Sequence, residues 1–88
     1  MPHLVIYSKP GCHLCDDLKA VVLDVARTVA LTVEEVDITS DPALLRDYGL
    51  EIPVLLIDGR KAAKYRITAS ELRRLLAGRF ATDGHAVP

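Results

Sequence analysis

The sequence predicts a small α/β domain, a four-stranded mixed sheet with helices on both faces in the order β-α-β-α-β-β-α. Three observations lead there. An apolar run over residues 3–7 is broken by Pro10-Gly11, and from His13 onward apolar residues recur at helical spacing. A second run, 53–57, is almost continuously apolar and ends in Asp58-Gly59, a two-residue hairpin signal. The chain has 88 residues, 50% of them hydrophobic, which suffices for one core and not for two. A single domain over 1–78 is expected, followed by a flexible tail over 79–88.

Taken in order, Leu4, Val5, Ile6 and Tyr7 make the first strand. A helix over about 12–29 follows, with Leu14, Leu18, Val21, Val22, Val25 and Val29 on its apolar face and Asp16, Asp17, Lys19, Asp24 and Arg27 on its wet one. Residues 32–38 alternate imperfectly and read as an edge strand parallel to the first, reached by a right-handed crossover. Ser40-Asp41-Pro42 supplies a cap and a first-turn proline for a short helix over 43–48, with Gly49 as a left-handed stop. The 53–57 run reads as a strand buried on both faces, and Asp58-Gly59 turns it into a fourth strand over 61–65. Thr68-Ala69-Ser70-Glu71 fits a capping box for a last helix running to about residue 76, with Leu72, Leu75 and Leu76 inward and Gly78 ending it. Tyr7 and Tyr48 are assigned to packing, and Asp37 to its own turn.

Composition excludes several classes. Eleven basic residues against 12 acidic leave a net charge of −1, which gives no long-range pull toward nucleic acid or an anionic membrane. No apolar run approaches the roughly 20 residues needed to span a bilayer. The N-terminus lacks the basic start, apolar stretch and cleavage site of a secretory signal, so a cytoplasmic product is expected. Two cysteines close together do not make a secreted disulfide framework.

The chemistry centres on Ser8-Lys9-Pro10-Gly11-Cys12-His13-Leu14-Cys15. Cys12 falls at the head of the first helix and Cys15 three residues on, on the same face. Sulfurs so placed approach bonding distance with little backbone movement. Unpaired N–H groups and the positive dipole end favour thiolate over thiol at Cys12, while Asp16 and Asp17 oppose it by charge repulsion. The expected chemistry is thiol–disulfide exchange. The bland alternatives are a pair of buried small hydrophobic side chains or half a metal site, either zinc or an iron–sulfur cluster bridged between subunits. A structural zinc needs four ligands, and beyond His3 and His13 the chain offers no second Cys/His pair nearby. His13 is either a positive neighbour of Cys12 or a solvent-facing loop residue, and Arg66 reads as a surface arginine beside the Pro53 loop.

With Tyr7-Ser8-Lys9-Pro10-Gly11-Cys12-His13-Leu14-Cys15, Val36-Asp37-Ile38 and Ile52-Pro53-Val54 in hand, the chain resembles the short glutaredoxin-like proteins of the thioredoxin-like superfamily over about 4–76. The resemblance implies a minimal thioredoxin-like fold and a thiol–disulfide oxidoreductase, with Cys12 as nucleophile and Cys15 as resolving cysteine. It places a cis peptide at Ile52–Pro53, exposing the Ile52 backbone for pairing with substrate, and a lysine at Lys9 that contacts a glutathione carboxylate. It implies no bound cofactor. Its substrates would be disulfide-containing proteins or glutathione mixed disulfides, glutathione serving as co-substrate, and a monomer suffices. A non-catalytic interaction or metal-binding module on the same fold is the alternative. The chain departs from the family in two places. Between its cysteines stand His13-Leu14 instead of Pro-Tyr. Ahead of the last helix, Tyr65-Arg66-Ile67-Thr68-Ala69-Ser70 lacks the Gly-Gly and paired acids that help hold glutathione.

Overall fold

The computed structural model describes residues 1–85. Its elements run β1 (His3–Ser8), α1 (His13–Ala26), β2 (Thr32–Asp37), α2 (Pro42–Tyr48), β3 (Val54–Ile57), β4 (Arg60–Lys64) and α3 (Ala69–His85), with a single 3-10 turn at Ile38–Ser40 between β2 and α2. The sheet order is β2-β1-β3-β4. β2 is the edge strand parallel to β1, and β3 runs antiparallel to both β1 and β4. This is the expected mixed α/β architecture.

The register places two β1 residues on the main core face. Leu4 stands opposite Ile57 and Ile6 opposite Leu55, and all four are buried. α1 lays Leu18, Val22 and Val25 against them, and α3 closes the layer with Leu72 and Leu76. Fully burying each such side chain contributes roughly 1.5–3 kcal/mol, and these side chains pin the head of α1 to the end of β1. Tyr7 and Val5 point the other way. There α2 covers only the end of the sheet nearer Ser8, where Tyr7 and Tyr48 meet at 4.9 Å between ring centroids.

Local chemistry explains the ends of the elements. The Asp41 carboxylate accepts from the Ala43 N–H at 2.9 Å, with Pro42 in the first turn of α2. At the β3–β4 turn, Asp58 (φ +50) and Gly59 (φ +85) are both left-handed, as a tight hairpin following the right-handed twist requires. Thr68 and Glu71 form the reciprocal capping box. The Glu71 N–H donates to the Thr68 hydroxyl at 3.1 Å, and the Thr68 N–H donates to the Glu71 carboxylate at 3.0 Å.

Several expectations are corrected. α1 ends at Ala26 instead of near residue 29. Ile38 leaves the strand for the 3-10 turn and buries itself under α2. β4 begins and ends one residue earlier than expected, and a register shift between Leu55 and Leu56 leaves Ala62 as its extra residue. Gly49 is not a left-handed stop, since its φ of −56° and ψ of −29° are right-handed. What requires glycine there is room, because a Cβ would meet the Leu45 carbonyl oxygen at 2.5 Å. The last helix does not end at Gly78 but continues to His85, so over 79–85 the backbone is helical where a tail was expected. Residues 86–88 of that expected tail lie outside the described residues. Leu75 is 40% exposed, not inward.

Candidate functional site

β1 delivers the chain to the site through the Pro10–Gly11 turn, where Gly11 is left-handed at φ +78. Cys12 follows as the cap of α1, extended at φ −95° and ψ 107°. Its sulfur receives the Cys15 N–H at 3.1 Å, and its carbonyl receives the Asp16 N–H at 3.2 Å. The sulfur thus stands where the unpaired donors of the helix head converge. Cys12 and Cys15 are joined in a disulfide, with their Cα atoms 5.2 Å apart. The two are unequal in exposure. Cys12 is half-buried at the surface, whereas Cys15 is 1% exposed and packs with Ile38 and Ile52.

The Ile52–Pro53 peptide is cis. Pro53 is fully buried and Ile52 nearly so. Two bonds from Tyr65 hold this segment. Its N–H donates to the Pro53 carbonyl at 2.8 Å and its hydroxyl to the Leu50 carbonyl at 3.1 Å. Tyr65 adopts φ +70, a left-handed conformation rarely taken by a non-glycine residue and sustained only where surroundings over-determine it. The Lys64 ammonium lies 5.6 Å from the centre of its ring. Beside this strap Leu50 is 95% exposed.

Charge is arranged on the β2 side. The Lys19 ammonium donates to Glu35 at 2.9 Å, and the buried Ser8 hydroxyl donates to the other oxygen of the same carboxylate at 2.9 Å. Both bonds, the lysine's foremost, hold the Glu35 carboxyl below its ordinary range, and the bond to Glu35 in turn raises Lys19. Asp37 accepts from the Thr39 hydroxyl at 2.6 Å and the Thr39 N–H at 2.9 Å, which lowers its carboxyl likewise.

Residues 3–77 match the profile of the family described as Glutaredoxin-like domain (DUF836). The chain belongs to this glutaredoxin-like family. A solved structure of the protein XcR50 from X. campestris is 37% identical, with 85% of this chain and 96% of that one covered, at a TM-score of 0.67. A mutant thioredoxin from Halobacterium salinarum is similar in fold, at 24% identity, coverage of 88% and 73%, and a TM-score of 0.60. A Mycobacterium tuberculosis protein, Rv0508, described only as uncharacterized, is 22% identical over 81 residues, 86% of this chain and 84% of its own.

In this glutaredoxin-like domain the structure brings Cys12, Cys15 and Ile52 into one cluster with Tyr7, Tyr48 and Leu44 packed around it. Lys9 is exposed and borders a separate polar hollow shared with Asp16, Glu35 and Asp37. His13 is the exposed first residue of α1, and its ring makes no hydrogen bond among the described residues. The described residues include no group of three or more His, Cys, Asp or Glu side chains placed to hold a metal ion, and no helix among them is long and apolar enough to cross a membrane. Sequence reasoning missed Tyr65, Leu50 and the Ser8–Glu35–Lys19 set. A left-handed tyrosine carries no sequence signal, because the partners that hold it come from the 50–53 segment.

Proposed function

We propose that this chain is a dithiol thiol–disulfide oxidoreductase. The observation that carries the reading is the asymmetry of the pair: a surface sulfur at the cap of a helix, bonded to a buried sulfur one turn deeper. In the reduced protein the Cys15 N–H and the helix head favour the thiolate of Cys12. That thiolate attacks one sulfur of a substrate disulfide, forming a mixed disulfide and expelling the other substrate sulfur as thiolate. Cys15, once deprotonated, then attacks the Cys12 sulfur. The internal disulfide forms, the second substrate thiolate leaves, and two electrons have passed to the substrate. An external thiol reductant restores the dithiol.

A disulfide-bearing protein or a glutathione mixed disulfide would serve as substrate, with glutathione as a candidate co-substrate and reductant. Lys9 and His13 flank the attacking sulfur in sequence and are the basic groups offered to such a ligand. The Ile52 backbone, which takes part in no hydrogen bond among the described residues, is the group offered for pairing with an extended substrate. A monomer working in the reducing cytoplasm fits this chemistry.

The test compares wild type, Cys12→Ser and Cys15→Ser on a glutathione mixed disulfide and on a protein disulfide. Cys12→Ser should be inactive on both. Cys15→Ser should accumulate a mixed disulfide at Cys12, visible by mass. Full reductase activity in Cys12→Ser overturns the proposal.

A further inference from the structure

Between α1 and the segment leading into α3 lies a cleft of about 300 Å³, within the range of sites that hold a side chain or small ligand. Its walls are mixed: Leu14, Leu18 and Val21 from α1 and Ile67 opposite supply an aliphatic patch, and Asp17 and Arg66 are charged lining residues. Two of its lining residues tie it to the redox segment. Leu14 is one of the two residues between the cysteines, and Tyr65, another wall, is the residue bonded to the Pro53 carbonyl. At its edge the head of α3 is already occupied, since the Glu71 carboxylate takes both the N–H and the hydroxyl of Thr68 at 3.0 Å. A carboxylate ligand would have to displace Glu71 there and, although Arg66 also lines the cleft, would meet two acidic side chains, Glu71 and Asp17. An aliphatic group meets neither obstacle.

We infer that this cleft is a specificity subsite for a large aliphatic side chain of a polypeptide disulfide substrate, flanking the cysteine that Cys12 attacks. The inference rests on the oxidoreductase reading and narrows it to protein substrates. The occupant follows from continuity with the site. An extended chain advances about 3.3 Å per residue with side chains alternating in direction, so a residue near the attacked cysteine, on the matching face, reaches the neighbouring cleft. Tyr65 fits the role of a fixed wall, since its left-handed backbone ties the position of its ring to the peptide bond before Val54. The Tyr65 hydroxyl is held as well, by its bond to the Leu50 carbonyl at 3.1 Å.

The experiment uses short peptides whose single cysteine is joined to thionitrobenzoate, with one leucine walked from three positions before the cysteine to three after, and alanine elsewhere. One position should raise kcat/KM by about tenfold to a hundredfold over the all-alanine peptide, the scale on which an apolar pocket discriminates. Val21→Phe, which fills the cleft from its far side, should bring that ratio close to one. Should Val21→Phe fail to fold by its thermal melt, Tyr65→Gly, which keeps the left-handed backbone and removes the wall, should lower the same ratio. A second arm needs no chemistry: cysteine-free versions of the peptides are titrated while the amide signals of Val21, Arg66 and Ile67 are followed. Leucine-dependent shifts there, with no turnover of any disulfide, would retain the cleft and overturn the oxidoreductase reading. Turnover with a flat leucine profile, or no leucine-dependent shifts, would overturn the cleft and leave that reading standing.

Discussion

In the reduced protein, alkylation should discriminate sharply between the two thiols. Cys12 meets solvent directly, but Cys15 is 1% exposed and can react only after the first turn of α1 opens. That opening breaks the Cys15 N–H bond to the Cys12 sulfur at 3.1 Å and the Asp16 N–H bond to the Cys12 carbonyl at 3.2 Å. Each is worth about 0.5–1.5 kcal/mol net. Exposing the Cys15 side chain, now packed on Ile38 and Ile52, adds about 1 kcal/mol. An opening free energy of about 2–4 kcal/mol corresponds to a rate ratio of roughly 30 to 1,000, before any advantage from thiolate formation at Cys12. The assay is a time course with limiting iodoacetamide on reduced protein, followed by peptide mapping of the two cysteines. Mild denaturant that loosens α1 should shrink the ratio. Equal rates in native buffer, or faster labelling of Cys15, would refute the assignment of Cys12 as the attacking sulfur.

Other outcomes follow from single features. Thr68→Ala removes the hydroxyl that caps α3 at 3.1 Å and should cost about 1 kcal/mol, lowering Tm by roughly 4–8 °C in a thermal melt. Gly78→Ala should raise Tm, by about 0.5–1 kcal/mol of stability, because a Cβ there meets nothing within 4 Å inside a helix. Gly49→Ala should lower it by at least about 1 kcal/mol, since its Cβ would meet the Leu45 carbonyl. The carboxyls of Glu35, Asp37, Glu51 and Glu71 are all held below their ordinary values. Their contribution to stability is present above the ordinary carboxyl values of 3.8 and 4.5 and is lost as pH falls through the lower folded values. Melts should therefore change little from pH 7 to 5 and fall below about 4, with Glu35→Gln shrinking the fall. A Tm that stays level to pH 3 would contradict this.

Much of the architecture was legible because its signals are local. Asp58-Gly59, Thr68 with Glu71, and Asp41-Pro42 each act through bonds within a few residues, so residue type and spacing suffice. The cysteine pair was legible for the same reason, its spacing being one helical turn. Tyr65 was not. Its backbone runs against the preference of its residue type, and partners on the 50–53 segment hold it there. Gly49 carried a real signal that admitted two causes, an unusual φ or a close approach, and only the distance to Leu45 decides between them. The Ser8–Glu35–Lys19 set joins β1, β2 and α1, which sequence order cannot bring together. Leu75 fits the helical period of Leu72 and Leu76 yet falls on the edge of the buried stripe.

The start of the chain is tied to the β3–β4 turn. The His3 N–H donates to the Asp58 carboxylate at 2.8 Å, and the Asp58 N–H donates back to the His3 carbonyl at 2.8 Å. Met1, 80% exposed, projects from that end, while the sulfurs lie beyond the other end of a six-residue strand, about 20 Å away. A tether or fusion attached before Met1 would thus leave the redox end facing outward, and immobilised molecules would share one orientation toward an electrode or a bound substrate.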